Sequence, residues 1–264
     1  MSNPHLPPEL LDHVIDFLQN TGSALRNCCL VSKSWIPRAR KHLFDEVWFE
    51  TENDLELWKK AFPDPSTSPG RYTEALTIDC PHAVLAVDGE AGGWIRGFSH
   101  VVHLGLDSQI PYDNKSEIFP AVLQGLSPVV KSLTIDYNAL PPSHIFDFIL
   151  SFPLLEDLAI TNYHYAGFGE GDSPNGLPTL VQRSNAPVIF GSLQLVAPAV
   201  EPIARLLLSV PDGIHFRKFT LAWEHDEDIS LITALVERCS HTLKSLDISC
   251  SPSGMSIPRL RPYR

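Results

Sequence analysis

The chain has 264 residues, 44% of them apolar, enough for one large or two small globular domains with a sizeable core. Its formal net charge is −11, and ten of the eleven excess negative charges lie after residue 50. That acidic body excludes a nucleic-acid backbone or an anionic membrane as the main partner, because both need basic patches.

The N-terminus, Met1-Ser-Asn-Pro-His, has neither the basic nor the apolar region of a signal peptide. The first predicted helix follows. Leu10, Leu11, Val14, Ile15 and Leu18 recur at helical spacing and share one face, with Glu9, Asp12, His13 and Asp16 elsewhere. Pro7 and Pro8 suit its first turn, where amide protons lack partners anyway. Asn20-Thr21-Gly22 stops it, and Ser23 is placed to cap a second helix carrying Leu25, Cys28, Cys29, Leu30 and Val31. Ser34 is placed to cap a third, Trp35 to Leu43, with Pro37 inside the tolerant first turn. Three helices in so few residues make a very small core, which leans on a neighbour.

From there the sequence repeats itself. Segments of the form apolar-x-x-apolar-x-apolar lie at Val101–Leu106, Val130–Ile135, Leu155–Ile160, Phe190–Leu195, Phe216–Leu221 and Leu243–Ile248. Thr73–Ile78 is a seventh, with a polar first residue. Their fourth positions, Leu76, Leu104, Leu133, Leu158, Leu193, Phe219 and Leu246, are separated by 28, 29, 25, 35, 26 and 27 residues. Val47 and Phe49 suggest an earlier strand 29 residues before Leu76 and Ile78. Helical stretches lie between them, such as Ser143–Phe152, Ala199–Val210 and Ile229–Cys239, and several end at a proline, as at Pro128, Pro153 and Pro211. A strand and a helix at this period predict stacked units that share one continuous core. An ordinary α/β domain with coincidental spacing is the alternative.

Two runs at the N-terminus carry a family resemblance. Leu6-Pro7-Pro8-Glu9-Leu10-Leu11-Asp12-His13-Val14-Ile15-Asp16-Phe17-Leu18 resembles the opening of an F-box, and Leu30-Val31-Ser32-Lys33-Ser34-Trp35 resembles its second half. The layout as a whole resembles fungal F-box proteins with degenerate leucine-rich repeats. The resemblance implies an α/β fold: a three-helix F-box over residues 1–45, then a curved leucine-rich-repeat-like solenoid of parallel strands and outer helices over 46–252. Residues 253–264 are expected to be a disordered tail. The departure from the repeat family is its ladder residue, Asn or Cys. Only Asn138 matches it; Pro81, Gln109, Tyr163, Pro198, Glu224 and Ser251 stand at the other positions. An irregular solenoid is therefore expected.

The resemblance further implies docking onto the Skp-type adaptor of an SCF ubiquitin ligase, and through it onto a cullin-RING scaffold, with the repeats holding a protein substrate. Carried over by position, the adaptor-binding residues are Leu6, Pro7, Leu10, Leu11, Ile15, Leu18, Leu30, Val31 and Trp35. Burial against the chain's own first repeat is the alternative for these side chains, and Trp35 fits either role. Binding the adaptor without a cullin is the alternative function.

In each strand the residue between the two core positions points outward: Thr77, Gly105, Thr134, Ala159, Gln194, Thr220 and Asp247. The positions just after the strands are richer in recognition chemistry: Asp79, Asp107, Asp136, Tyr137, Tyr163, His164, Trp223 and Glu224. Aromatics beside carboxylates suit a basic or mixed partner segment. Tyr163 and Trp223 equally suit covering the solenoid edge. No catalytic motif, metal or cofactor is expected. Gly167-Phe-Gly169-Glu-Gly171-Asp172 lacks the Lys and Ser/Thr of a phosphate loop, and Glu170 and Asp172 repel phosphate. Glu224-His-Asp-Glu-Asp228 has no calcium-loop pattern. His100 and His103 have no zinc-motif context. The cysteines, Cys28, Cys29, Cys80, Cys239 and Cys250, are odd in number and show no C-x-x-C spacing. Reduced thiols in the cytoplasm or nucleus fit them.

Overall fold

The computed structural model describes residues 7–79, 93–107, 128–136, 149–161, 188–196, 200–210, 214–223 and 229–250. The chain divides into two compact units, Met1–Ser132 with Ser151–Leu154, and Leu133–Leu150 with Leu155–Arg264. Both are α/β, with parallel strands and intervening helices.

The first unit opens with three helices, α1 (Pro8–Phe17), α2 (Gly22–Val31) and α3 (Ile36–Leu43). β1 (Glu46–Phe49), α4 (Glu52–Ala61), β2 (Ala75–Ile78) and β3 (His103–Asp107) follow. Short 3-10 turns at Pro65–Thr67, Pro69–Tyr72 and Trp94–Gly97 link them. The expected caps at Ser23 and Ser34 do not form. α2 begins at Gly22, where the Thr21 carbonyl accepts the Leu25 amide, and the Ser34 hydroxyl meets that of Ser32 instead. α4 is held by a reciprocal cap: the Thr51 hydroxyl accepts the Asp54 amide, and the Asp54 carboxylate accepts the Thr51 amide.

No unit boundary falls at residue 45. The reason is packing: α3 rests on the turn Pro69–Tyr72. Phe44, directly after α3, sets its ring edge-on to Trp58 and Phe62 at 5.9 and 6.4 Å. Trp58 in turn stacks on Phe98 at 5.3 Å, and Phe49 meets Trp94 edge-on at 5.7 Å. This aromatic cluster ties the small helical bundle to the first strands. Gly70 and Gly97 bring two of the turns together: a Cβ on Gly70 would lie 3.1 Å from the Gly97 carbonyl oxygen.

The second unit holds β4 (Ser132–Asp136, from its second residue), β5 (Asp157–Thr161), β6 (Val188–Val196), α5 (Val200–Leu208), β7 (Ile214–Trp223), α6 (Ile229–Cys239) and β8 (Ser245–Cys250). Arg238 on α6 donates to the carbonyls of Leu208 and Val210, satisfying acceptors that the end of α5 leaves open.

The repeat period sets the strand register. Val47 pairs with Leu76 and Leu76 with Leu104 in the first unit. Leu158 pairs with Leu193, Leu193 with Phe219 and Phe219 with Leu246 in the second. The 35-residue step between Leu158 and Leu193 keeps register like the others. Both core positions of β1 through β7 are buried. β8 differs: Leu246 and Ile248 are 43% and 45% exposed, and among the described residues β8 pairs only with β7. The tail expected at 253–264 lies outside the described residues.

Candidate functional site

The core of the helical bundle is Ile15, Leu25, Cys28 and Ala39, with Leu18, Cys29, Trp35 and Leu43 packed against it. The remaining apolar side chains of α1 and α2 lie outside it. At ~100° per residue, Leu11, Ile15 and Leu18 fall within one arc of ~60°, toward the core. Leu10, Val14 and Phe17 fall within the adjoining arc of ~60°, toward solvent. Phe17 is 93% exposed, and Leu30 and Val31 at the end of α2 are 86% and 65% exposed. Leu10 and Val14 are about half exposed.

The residues carried over from the resemblance therefore separate. Pro7, Leu10, Leu30 and Val31 are offered to solvent. Leu11, Leu18 and Trp35 are partly buried, Leu18 and Trp35 against the bundle's own core. Ile15 is 1% exposed and belongs to that core, so it offers nothing to a partner. Leu6 lies outside the described residues. Val14 and Phe17 replace Ile15 on the exposed face. Their i, i+3 spacing is the signal in the sequence that marks them as a pair.

A charged clamp orients α1. The Asp16 carboxylate accepts two hydrogen bonds from the Arg38 guanidinium, both at 2.6 Å, and pairs with His42 Nε2 at 2.7 Å. Those hydrogen bonds, Arg38 first and His42 second, hold the Asp16 carboxyl far below the usual carboxylate range. A surface depression of about 560 Å³ lies beside Phe17, lined by His13, Asp16, Gln19, Asn20, Arg38 and His42. The depressed carboxyl fixes the sign of a pH effect. Its contribution to stability is complete above the unfolded-state value near ~4 and is lost as pH falls toward the lower folded-state value. Asp16→Asn is expected to melt at a lower temperature than the wild type at neutral pH. The gap should narrow as pH drops below ~4, as thermal melts across a pH series will report.

The residues expected to meet a substrate are placed in part. Thr77 and Gly105 are neighbours across the first unit's strands. Ala159, Gln194, Thr220 and Asp247 form one row in the second. All six lie on the strand face away from the core, as does Thr134. Asp107 closes β3, Asp136 closes β4, and Trp223 closes β7, where it pairs with Cys250. Tyr137, Tyr163, His164 and Glu224 lie outside the described residues, as do the glycine-rich stretch 167–176 and the acidic run 224–228. Trp48, half exposed on β1, belongs to the same outward row as Thr77 and was not singled out by the repeat pattern.

Among the described residues, no group of three or more His, Cys, Asp or Glu side chains is placed to hold a metal ion. His100 pairs with its neighbour Ser99, and His103 is exposed. Burial pushes the Cys239 thiol up, away from nucleophilic reactivity. No described helix is long and apolar enough to cross a membrane. No protein-family model matches the chain, and no curated protein is significantly similar to it.

Proposed function

We propose that the chain is the substrate-recognition subunit of an SCF-type ubiquitin ligase. Its N-terminal helices dock the Skp-type adaptor as an F-box, and its repeats, a curved leucine-rich-repeat-like solenoid, hold a protein substrate. One observation carries the reading. A bundle of three short helices leaves Leu10, Val14, Phe17, Leu30 and Val31 outside its core and exposed. Exposed aromatic and aliphatic side chains of this size mark a protein interface rather than a monomer surface. The two sequence runs that resemble an F-box carry these same side chains.

In this reading the chain performs no chemistry and needs no cofactor. The ubiquitin transfer belongs to the RING subunit and the charged enzyme that the cullin brings, and the chain acts in the cytoplasm or nucleus. The test is affinity capture of the full chain with mass spectrometry of what it holds. The expected result is a Skp-type adaptor together with a cullin. Adaptor without cullin would favour an adaptor-binding protein outside the ligase, and capture of neither would contradict both.

A further inference from the structure

Trp48 stands on the outward face of β1, 49% exposed. Parallel register sets it beside Thr77, and Thr77 beside Gly105. A Cβ at Gly105 would come within 3.0 Å of the Thr77 hydroxyl. The row therefore falls from an indole through Thr77 to bare backbone at Gly105.

Two glutamates flank it in the chain. Glu46 lies two residues before Trp48 on the same face of β1, and Glu50 follows directly after the strand's last residue, Phe49. Both glutamates are exposed. Among the described residues, neither Glu46 nor Glu50 makes an ion pair. A half-exposed indole flanked by two glutamates without ion pairs is a poor surface for a monomer and a good one for a cation.

We propose that this strand face of the first unit docks a basic segment of a protein partner, with an arginine or lysine over Trp48 and neighbouring cations on Glu46 and Glu50. The proposal rests on the reading that the repeats hold a substrate, and it supplies that substrate's chemical class. Arginine suits the site better than lysine, because its planar, weakly hydrated guanidinium stacks on an indole while its N–H groups still reach a carboxylate. Phosphate-bearing polymers are repelled by the same glutamates.

The test uses the full chain without adaptor and three short labelled peptides of glycine and serine, carrying arginine, lysine or glutamate at alternate positions. Binding is read by fluorescence anisotropy. The arginine peptide should bind most tightly and the glutamate peptide not at all. Trp48→Ala should weaken the arginine peptide about tenfold, the expected size for a desolvated cation over an indole. Glu46→Lys with Glu50→Lys should abolish arginine-peptide binding and flatten its dependence on salt.

The chain's overall negative charge would by itself attract basic peptides. Binding that Trp48→Ala and the double reversal leave at the wild-type level would therefore overturn the proposal. So would an arginine peptide that binds no better than the glutamate one. Amide exchange of β1 to β3 checks that each variant keeps its fold. The adaptor arm is separate: Phe17→Asp with Leu30→Asp should leave peptide binding intact. A wild type that binds the peptide but no adaptor removes the ligase reading and keeps this surface. The converse result removes this surface and keeps the ligase reading.

Discussion

Phe17→Asp together with Leu30→Asp is expected to abolish capture of a Skp-type adaptor while leaving the chain folded. Burying a large apolar side chain contributes about 1.5–3 kcal/mol, and an aspartate in its place carries an unpaired charge into an apolar interface. Losing both contacts amounts to about 4 kcal/mol or more, roughly a thousandfold in affinity. The cost to folding is small, because both side chains lie in solvent in the free chain. Ile15 is the informative contrast. Ile15→Asp would also stop docking, but through collapse of the bundle core, and its thermal melt would show the difference. Adaptor capture at the wild-type level by the Phe17/Leu30 variant would place the docking face elsewhere.

The second large effect concerns the shared core of the repeats. Phe219 is fully buried in β7, stacked against Phe216 at 6.4 Å and paired with Leu193 on one side and Leu246 on the other. Phe219→Ala is expected to cost about 3–5 kcal/mol, from lost transfer energy and the cavity left behind. Leu246→Ala, in the equivalent lane of β8, should cost less than about 1 kcal/mol, since close to half of that side chain is already in water. Urea unfolding, followed through the amides of β6 to β8, measures both. Equal losses would show that β8 is packed as deeply as β7 in solution.

Register was the most legible feature of the fold, and the reason is physical. Each strand must present its two core residues to the same shared interior, so Leu76, Leu104, Leu193 and Phe219 recur at a spacing the pairing then obeys. α6 matches its expected bounds, Ile229–Cys239, for a similar reason: its buried Ile232, Leu235 and Cys239 follow helical periodicity. Helix caps were less legible. Ser23 and Ser34 are good capping residues, but α2 starts one residue before Ser23, and the Ser34 hydroxyl is taken by that of Ser32. α4 went unread although Thr51-x-x-Asp54 is a capping signature ahead of Leu55 and Trp58.

The candidate site was half legible. Periodicity grouped Leu10, Leu11, Val14, Ile15 and Leu18 on one side of α1, but it does not say where α3 packs. That contact divides the group, drawing Ile15 inward and leaving Val14 outward with Phe17. Trp48 escaped notice because β1 was read through Val47 and Phe49, whose burial the repeat demands. The residue between them obeys no such demand, and that freedom lets it carry recognition.

The most direct measurement is a titration of the purified full chain with a purified Skp-type adaptor, with deuterium exchange of the chain read in the free and bound states. The account predicts a stoichiometric complex in which new protection concentrates on α1 and the end of α2, around Leu10, Phe17, Leu30 and Val31, while β6 to β8 exchange as before. No complex at adaptor concentrations of about tens of micromolar, a range that covers ordinary specific affinities, would contradict it. So would a complex whose protection falls on the repeats and leaves α1 and α2 unchanged.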